Sequence, residues 1–183
     1  MSTRPGFTSV DRLLENNKRF AVQYNFADLA LEPRDRLAIV TCMDSRMDIF
    51  RILGMHHGQA HIIRNAGGVI TDDVIRSLCL SQRFLGTRAI MLIHHTDCGL
   101  ERVDEARFKA DLESELGIKP WWALETFSDP YADVRQSMQR VVMTPFVAHK
   151  GNIRGFVYNV TTGQLREVTL DGSALDPGES HMG

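Results

Sequence analysis

Leu37-Ala38-Ile39-Val40-Thr41-Cys42-Met43-Asp44-Ser45-Arg46 is the stretch on which the fold turns. Its first five residues form a continuous, β-branched apolar run, the pattern of a strand buried on both faces rather than one that alternates. Such strands belong to parallel sheets covered by helices on either side. The run ends abruptly at Cys42, where polar and charged residues begin.

The flanking sequence repeats this grammar. Residues 47–53, stopped by Gly54, suit a short helix, and residues 60–64 suit a second strand, broken by Asn65-Ala66-Gly67-Gly68. Thr71 followed by Asp72 and Asp73 makes an N-cap with an acidic first turn, and Val74, Ile75, Leu78, Phe84 and Leu85 form an apolar stripe before Gly86. A third strand over 88–94 delivers the chain to His95-Thr96-Asp97-Cys98-Gly99. Helical patterns recur over 106–116 and 131–142, a strand is expected over 153–160, and Thr162-Gly163 turns it into an antiparallel edge over 165–170. At the start, residues 8–24 place Val10, Leu13, Leu14, Phe20 and Val22 at helical spacing, with Thr8 as the cap of an amphipathic arm.

The expected fold is therefore α/β: a single domain over 1–183, with four parallel strands plus an antiparallel edge strand, flanked by helices. An arm helix over 8–24 precedes it, and residues 171–183, rich in Gly, Ser, Pro and acid, are expected to be a loose tail. Neither an internal repeat nor a dividing linker is present. In such sheets ligands sit beyond the carboxyl ends of the strands.

Composition narrows the function. The 183 residues are 43% hydrophobic and 24% charged with a net charge of -2, which fits a folded domain and gives no electrostatic basis for binding nucleic acid or an anionic membrane. The strongest apolar runs, 37–43 and 89–93, are too short to span a bilayer, and no apolar signal core follows Met1, so cytoplasmic residence is expected. Cysteines at 42, 79 and 98 contain no Cys-x-x-Cys and give no disulfide framework.

The strand ends can bring Cys42, His95 and Cys98 to one edge of the sheet. Two thiolates and an imidazole are a zinc set, and three protein ligands leave the fourth tetrahedral position open, as in catalytic sites. Asp44 and Arg46 could pair beside that metal, with Arg46 favouring the ionised carboxylate and Asp44 orienting the zinc-bound nucleophile. The same two residues could equally be an exposed turn pair contributing nothing.

Cys42-Met43-Asp44-Ser45-Arg46, then Arg64-Asn65-Ala66-Gly67, then His95-Thr96-Asp97-Cys98-Gly99 resembles the β-class carbonic anhydrases, in order and at suitable separation. The resemblance runs from the Leu13–Phe20 arm to Gly99, is closest to short, minimal members of the class, and extends more loosely to 153–160. It implies one Zn²⁺ per subunit held by Cys42, His95 and Cys98, with Asp44 and Arg46 as a catalytic dyad and Asp44 as a conditional fourth ligand. It further implies hydration of CO₂ to bicarbonate and a proton, in a homodimer or homotetramer embraced by the arm helices. Relatives that hydrolyse CS₂ or COS on the same core give an alternative substrate, and a noncatalytic zinc-binding dimer gives an alternative of another class. Two departures bear on the substrate: Gly68 stands where many members carry asparagine, and no glutamine or aromatic lining of a CO₂ pocket is evident.

Other residues invite plainer readings. Cys79 reads as a small core residue, and His94 as packed on the opposite face of its strand. His56 and His57 read as surface loop residues, and Asp97 as a helix cap or an entrance residue. Gly67 and Gly68 allow a tight turn. Trp121 and Trp122 fit either a pocket wall or an interface.

Overall fold

The strand β1 (Leu37–Cys42) has Ala38, Ile39 and Val40 fully buried, as its unbroken apolar run requires. The structure, a computed structural model, describes residues 9–171 and the backbone of 174–175. The chain divides into two units, residues 1–30 and 31–183. In the first, α1 (Ser9–Val22) has no buried residue, and Val10, Leu13, Leu14 and Phe20 are all exposed. Thr8, the expected cap, lies outside the described residues.

The second unit is built on a six-stranded sheet. Around β1 stand β2 (Ala60–Asn65), β3 (Ala89–His95), β4 (Ile153–Tyr158), β5 (Leu165–Val168) and β6 (Ala174–Leu175), in the order β2-β1-β3-β4-β5-β6. The first four are parallel; β5 runs antiparallel to β4 and β6 antiparallel to β5. This is the expected fold class. The two-residue β6 is an addition within the stretch read as a loose tail, the remainder of which, 172–173 and 176–183, lies outside the described residues.

Side chains of β1 alternate between two cores, following the strand period of two. Ala38 and Val40 join Leu92 under α3 (Asp72–Arg83) and α5 (Pro130–Met143), through Val74, Leu78, Val134 and Met138. Ile39 and Ile93 face the other way, onto Met47 and Ile49 at the start of α2 (Ile49–Leu53). That helix begins two residues later than the sequence pattern, because Met47 closes a turn by donating its N–H to the Asp44 carbonyl at 3.0 Å, and Asp48 caps the helix. In α3, Thr71 caps as expected, while Phe84 and Leu85 fall beyond its end at Arg83. The helix α4 (Glu105–Leu116) follows β3 and presents no buried residue. No described helix is long and apolar enough to cross a membrane.

The connection leaving β1 runs to β2 on one side, whereas the connection leaving β3 runs to β4 on the other. That reversal opens a crevice at the carboxyl ends of β1 and β3. Gly68 seals its floor. With φ at +73°, a Cβ there would lie 2.9 Å from both the Cys42 nitrogen and the Thr41 carbonyl carbon, so a side chain meets rigid backbone as well as an unfavourable dihedral. Gly68→Ala is expected to lower the melting temperature of the metal-free protein by roughly 4–8 °C, following from a cost of about 2 kcal/mol. Thermal unfolding followed by circular dichroism checks this against Gly151→Ala, where an added Cβ meets nothing within 4 Å.

Candidate metal centre

Cys42 and His95 are the last residues of β1 and β3, and Cys98 follows three positions on. The parallel register pairs Thr41 with Ile93, and the Thr41 hydroxyl donates to the Ile93 carbonyl at 3.0 Å, fixing the two strand ends side by side. The three side chains are buried, and their ligand atoms lie within 4.8 Å of one another. They are the one such His/Cys/Asp/Glu cluster among the described residues.

The donor set fits a tetrahedral ion. The two sulfurs stand 4.0 Å apart; sulfurs bound tetrahedrally to zinc at about 2.3 Å would stand about 3.8 Å apart. The His95 Nδ1–H donates to the Thr96 carbonyl at 3.0 Å, which fixes the tautomer and leaves Nε2 available to coordinate. That Nε2 is buried without a hydrogen-bond partner, an orphan that a metal ion would satisfy.

The electrostatics point the same way. Hydrogen bonding from the Cys98 thiol, aided by His95 and the backbone near Asp44 and Gly67, outweighs burial and pulls Cys42 down to about 4. The same contact, together with burial, pushes Cys98 well above the ordinary thiol range. Two thiolates this close repel, so the metal-free pair keeps one proton; a bound cation is what would let both ionise. For His95 burial pulls the pKa down, but Cys42, the Thr96 carbonyl and Asp44 together outweigh it and the net shift is upward.

Asp44 and Arg46 complete the rim. Asp44 Oδ1 accepts from the Arg46 backbone N–H at 2.8 Å and from Nε at 3.0 Å, and Oδ2 accepts from NH2 at 2.8 Å. Asp44 Oδ2 lies 3.8 Å from His95 Nε2, and only 17% of the Asp44 side chain is exposed. An idle surface pair would not sit there. Hydrogen bonds from Arg46 hold the Asp44 carboxyl well below the usual carboxylate range and push the guanidinium above its own.

Arg64, noted only as part of a motif, clamps this loop: its Nε donates to the Cys42 carbonyl at 2.9 Å and its NH2 to the Asp44 carbonyl at 2.7 Å. Asp97 is not a helix cap. It adopts φ 57° and accepts from Arg46 and from Arg102, while Cys98 takes the cap position of the following turn. Both arginines lower its pKa. No local sequence signal reports either role, because the Arg64 partners lie 20 and 22 residues away and Arg46 lies 51 residues from Asp97.

The remaining readings sort as follows. His94 lies behind the sheet, fully buried, 3.2 Å from Asp133 and with its ring 5.7 Å from that of Phe127. Cys79 departs from the core reading: it is only half-buried and lines a surface cavity with Ile75, Arg76 and Phe146, since α3 turns that flank outward. His56 and His57 are exposed. Beside the cluster opens an apolar cavity of about 400 Å³, walled by Met43, Leu100, Val103, Phe108 and Leu124. Neither tryptophan lines it, and Trp121 is 90% exposed.

The chain is similar to known proteins along most of its length. The family model described as carbonic anhydrase matches residues 37–125. The chain is similar to β-carbonic anhydrase 1 of Mycobacterium tuberculosis, 49% identical over 162 residues, covering 88% of this chain and 99% of that protein. A carbon disulfide hydrolase of Acidithiobacillus thiooxidans is 32% identical over 174 residues, covering 83% and 85%. Among solved structures, a carbonic anhydrase from Streptococcus mutans superposes with a TM-score of 0.83 at 38% identity, covering 91% of this chain and all of that one.

Titration of the metal-free protein with Co²⁺, read by thiolate-to-metal charge-transfer absorption, is expected to saturate at one ion per chain. Cys98→Ser should weaken that binding by more than the roughly 10- to 100-fold that loss of an outer partner costs. Cys79→Ser should titrate like the parent.

Proposed function

This chain belongs to the β-class carbonic anhydrase family, and we propose that it catalyses the reversible hydration of CO₂ to bicarbonate and a proton at a zinc ion held by Cys42, His95 and Cys98. The observation that carries this reading is the position of the ionised Asp44 carboxylate, tied to Arg46 and 3.8 Å from the free nitrogen of His95, at the mouth of an apolar cavity.

When bound, zinc with three protein ligands supplies a Lewis acid that brings the ionisation of water toward neutral pH. The chain's own residues do the rest. Asp44, kept ionised by Arg46, can only accept hydrogen bonds, so it orients a reactant that carries an O–H and disfavours one that does not. Arg46 neutralises that carboxylate and holds it in the geometry that faces the ligands. Arg64 fixes the loop carbonyls beneath both. The walls formed by Val103, Phe108 and Leu124 exclude water and receive a small uncharged molecule, while charged bicarbonate gains nothing from them and leaves.

A second reading, hydrolysis of CS₂ or COS, is favoured by the similarity to carbon disulfide hydrolases and by a cavity that is apolar throughout its named wall. We further propose a homodimer or a larger homo-oligomer, because α1 exposes Val10, Leu13 and Leu14 along one amphipathic helix, a patch that soluble chains ordinarily cover.

Stopped-flow hydration assays on protein of known zinc content test the first reading through proton release. Arg46→Ala should retain zinc and lose activity by about 10- to 100-fold; full activity in that variant, or none in the zinc-loaded parent, would sink it. Release of sulfide from CS₂ without CO₂ hydration would select the second reading. Sedimentation analysis of Leu13→Glu/Leu14→Glu should show a shift toward monomer.

A further inference from the structure

The Arg46 guanidinium is held on two edges. One edge, Nε and NH2, meets Asp44. On the other, NH1 donates to Asp97 Oδ2 at 2.9 Å and NH2 to the Asp97 carbonyl oxygen at 2.8 Å. Arg46 is 43% exposed on its side chain, and a long side chain so placed would sample solvent unless something fixed it. Asp97 is built to do so. Its φ of 57° lies in the left-handed region, which asparagine and aspartate tolerate best among residues with a side chain, and this turn aims carboxylate and carbonyl at the same guanidinium. Arg102, from the next turn, takes the other carboxylate oxygen and sets its plane.

We propose that Asp97 is a positioning residue for the reaction at this site: it clasps the far edge of Arg46 and thereby keeps the near edge on Asp44. The inference rests on the hydration reading above. It assigns to the residue between the two ligands His95 and Cys98 a task beyond linking them, since Arg46 then ties the β1 loop to the β3 loop across 51 residues of chain. The stake is the location of Asp44. Its Oδ2 is 3.8 Å from the coordinating nitrogen of His95, so an Arg46 that swings away releases a carboxylate within reach of the open ligand position. Asp97 holds that release in check, and does so without touching the substrate.

Asp97→Asn and Asp97→Gly both accept a positive φ and both lack the carboxylate, so an effect common to the two comes from the lost charge rather than from backbone strain. Three quantities decide: zinc content; kcat and KM for CO₂ hydration; and the rate at which the Arg46 Nε–H exchanges with water, read by NMR in zinc-loaded and metal-free protein and assigned by its loss in Arg46→Lys. In both variants zinc content is expected to match the parent. Exchange of the Arg46 Nε–H should accelerate at least about tenfold, metal-free protein included, and kcat should fall about tenfold with KM little changed. Parental exchange in either variant, with or without a fall in kcat, overturns the proposal, as does loss of zinc or of the native fold in both, which would make Asp97 a part of the ligand scaffold. An inactive zinc-loaded parent would instead refute the hydration reading, and the exchange rates would still decide whether Asp97 holds Arg46.

Discussion

Two thiols and an imidazole are buried within 4.8 Å of one another, and the rest of the molecule is organised around the charge this places in a dry crevice. Thiolates 4.0 Å apart in low dielectric repel strongly, so neither the folded chain nor its surroundings can hold both ionised without a cation. The contrast between Cys42, drawn down, and Cys98, driven up, is the metal-free expression of that conflict. Two of the three, Cys42 and His95, sit where the scaffold is least able to yield, at the ends of strands whose inner residues are fully buried.

The sheet order supplies the proximity. Adjacent parallel strands lie about 4.8 Å apart, and the ligand cluster has the same span, so one ligand at each strand end suffices to begin a site. Because β1 continues to β2 on one side and β3 continues to β4 on the other, the two connections diverge and leave a crevice at the β1 and β3 ends. Cys98, on the turn after β3, then closes the set. Gly68 lets the β2 loop pass against the Cys42 backbone, and Arg64, from the end of β2, binds the loop carbonyls on that side.

What the sequence disclosed follows from how locally each feature is encoded. The unbroken run at Leu37–Thr41 identifies a doubly buried strand, and the types and spacing of Cys42, His95 and Cys98 single out the three residues that the structure brings together as a cluster able to hold a metal, because ligand chemistry is written in residue type. The bond between Asp44 and Arg46 was one of two open readings; burial and the approach to His95 decide between them, and neither is visible without the third dimension. Of the two readings of Asp97, the cap fails because capping is a local habit of aspartate, whereas its partners here are set by a left-handed turn and a distant loop. Cys79 was misread because apolar neighbours in sequence, Leu78 and Leu80, stand on different sides of α3: the first is fully buried and the second half exposed. Two residues of β6 carry too little pattern to be distinguished from a tail.

The division of labour within the site bears on its substrate. An apolar wall discriminates weakly between molecules of similar shape, on the order of 10- to 200-fold per methylene-sized difference. Val103, Phe108 and Leu124 therefore admit small linear apolar molecules as a class, and they carry little of the choice between an oxygen and a sulfur compound. On the proposed mechanism, selection falls to the polar end, where Asp44 accepts but cannot donate and is bound on both oxygens by Arg46. On that mechanism a substrate that demands a larger rearrangement there is penalised by every bond that holds Arg46 in place, including the two that Asp97 accepts from it. The same net charge near zero that gave no case for a polyanionic partner is consistent with this arrangement, since an uncharged gas needs no long-range steering and all the relevant electrostatics can be confined to a few ångströms around the ligands.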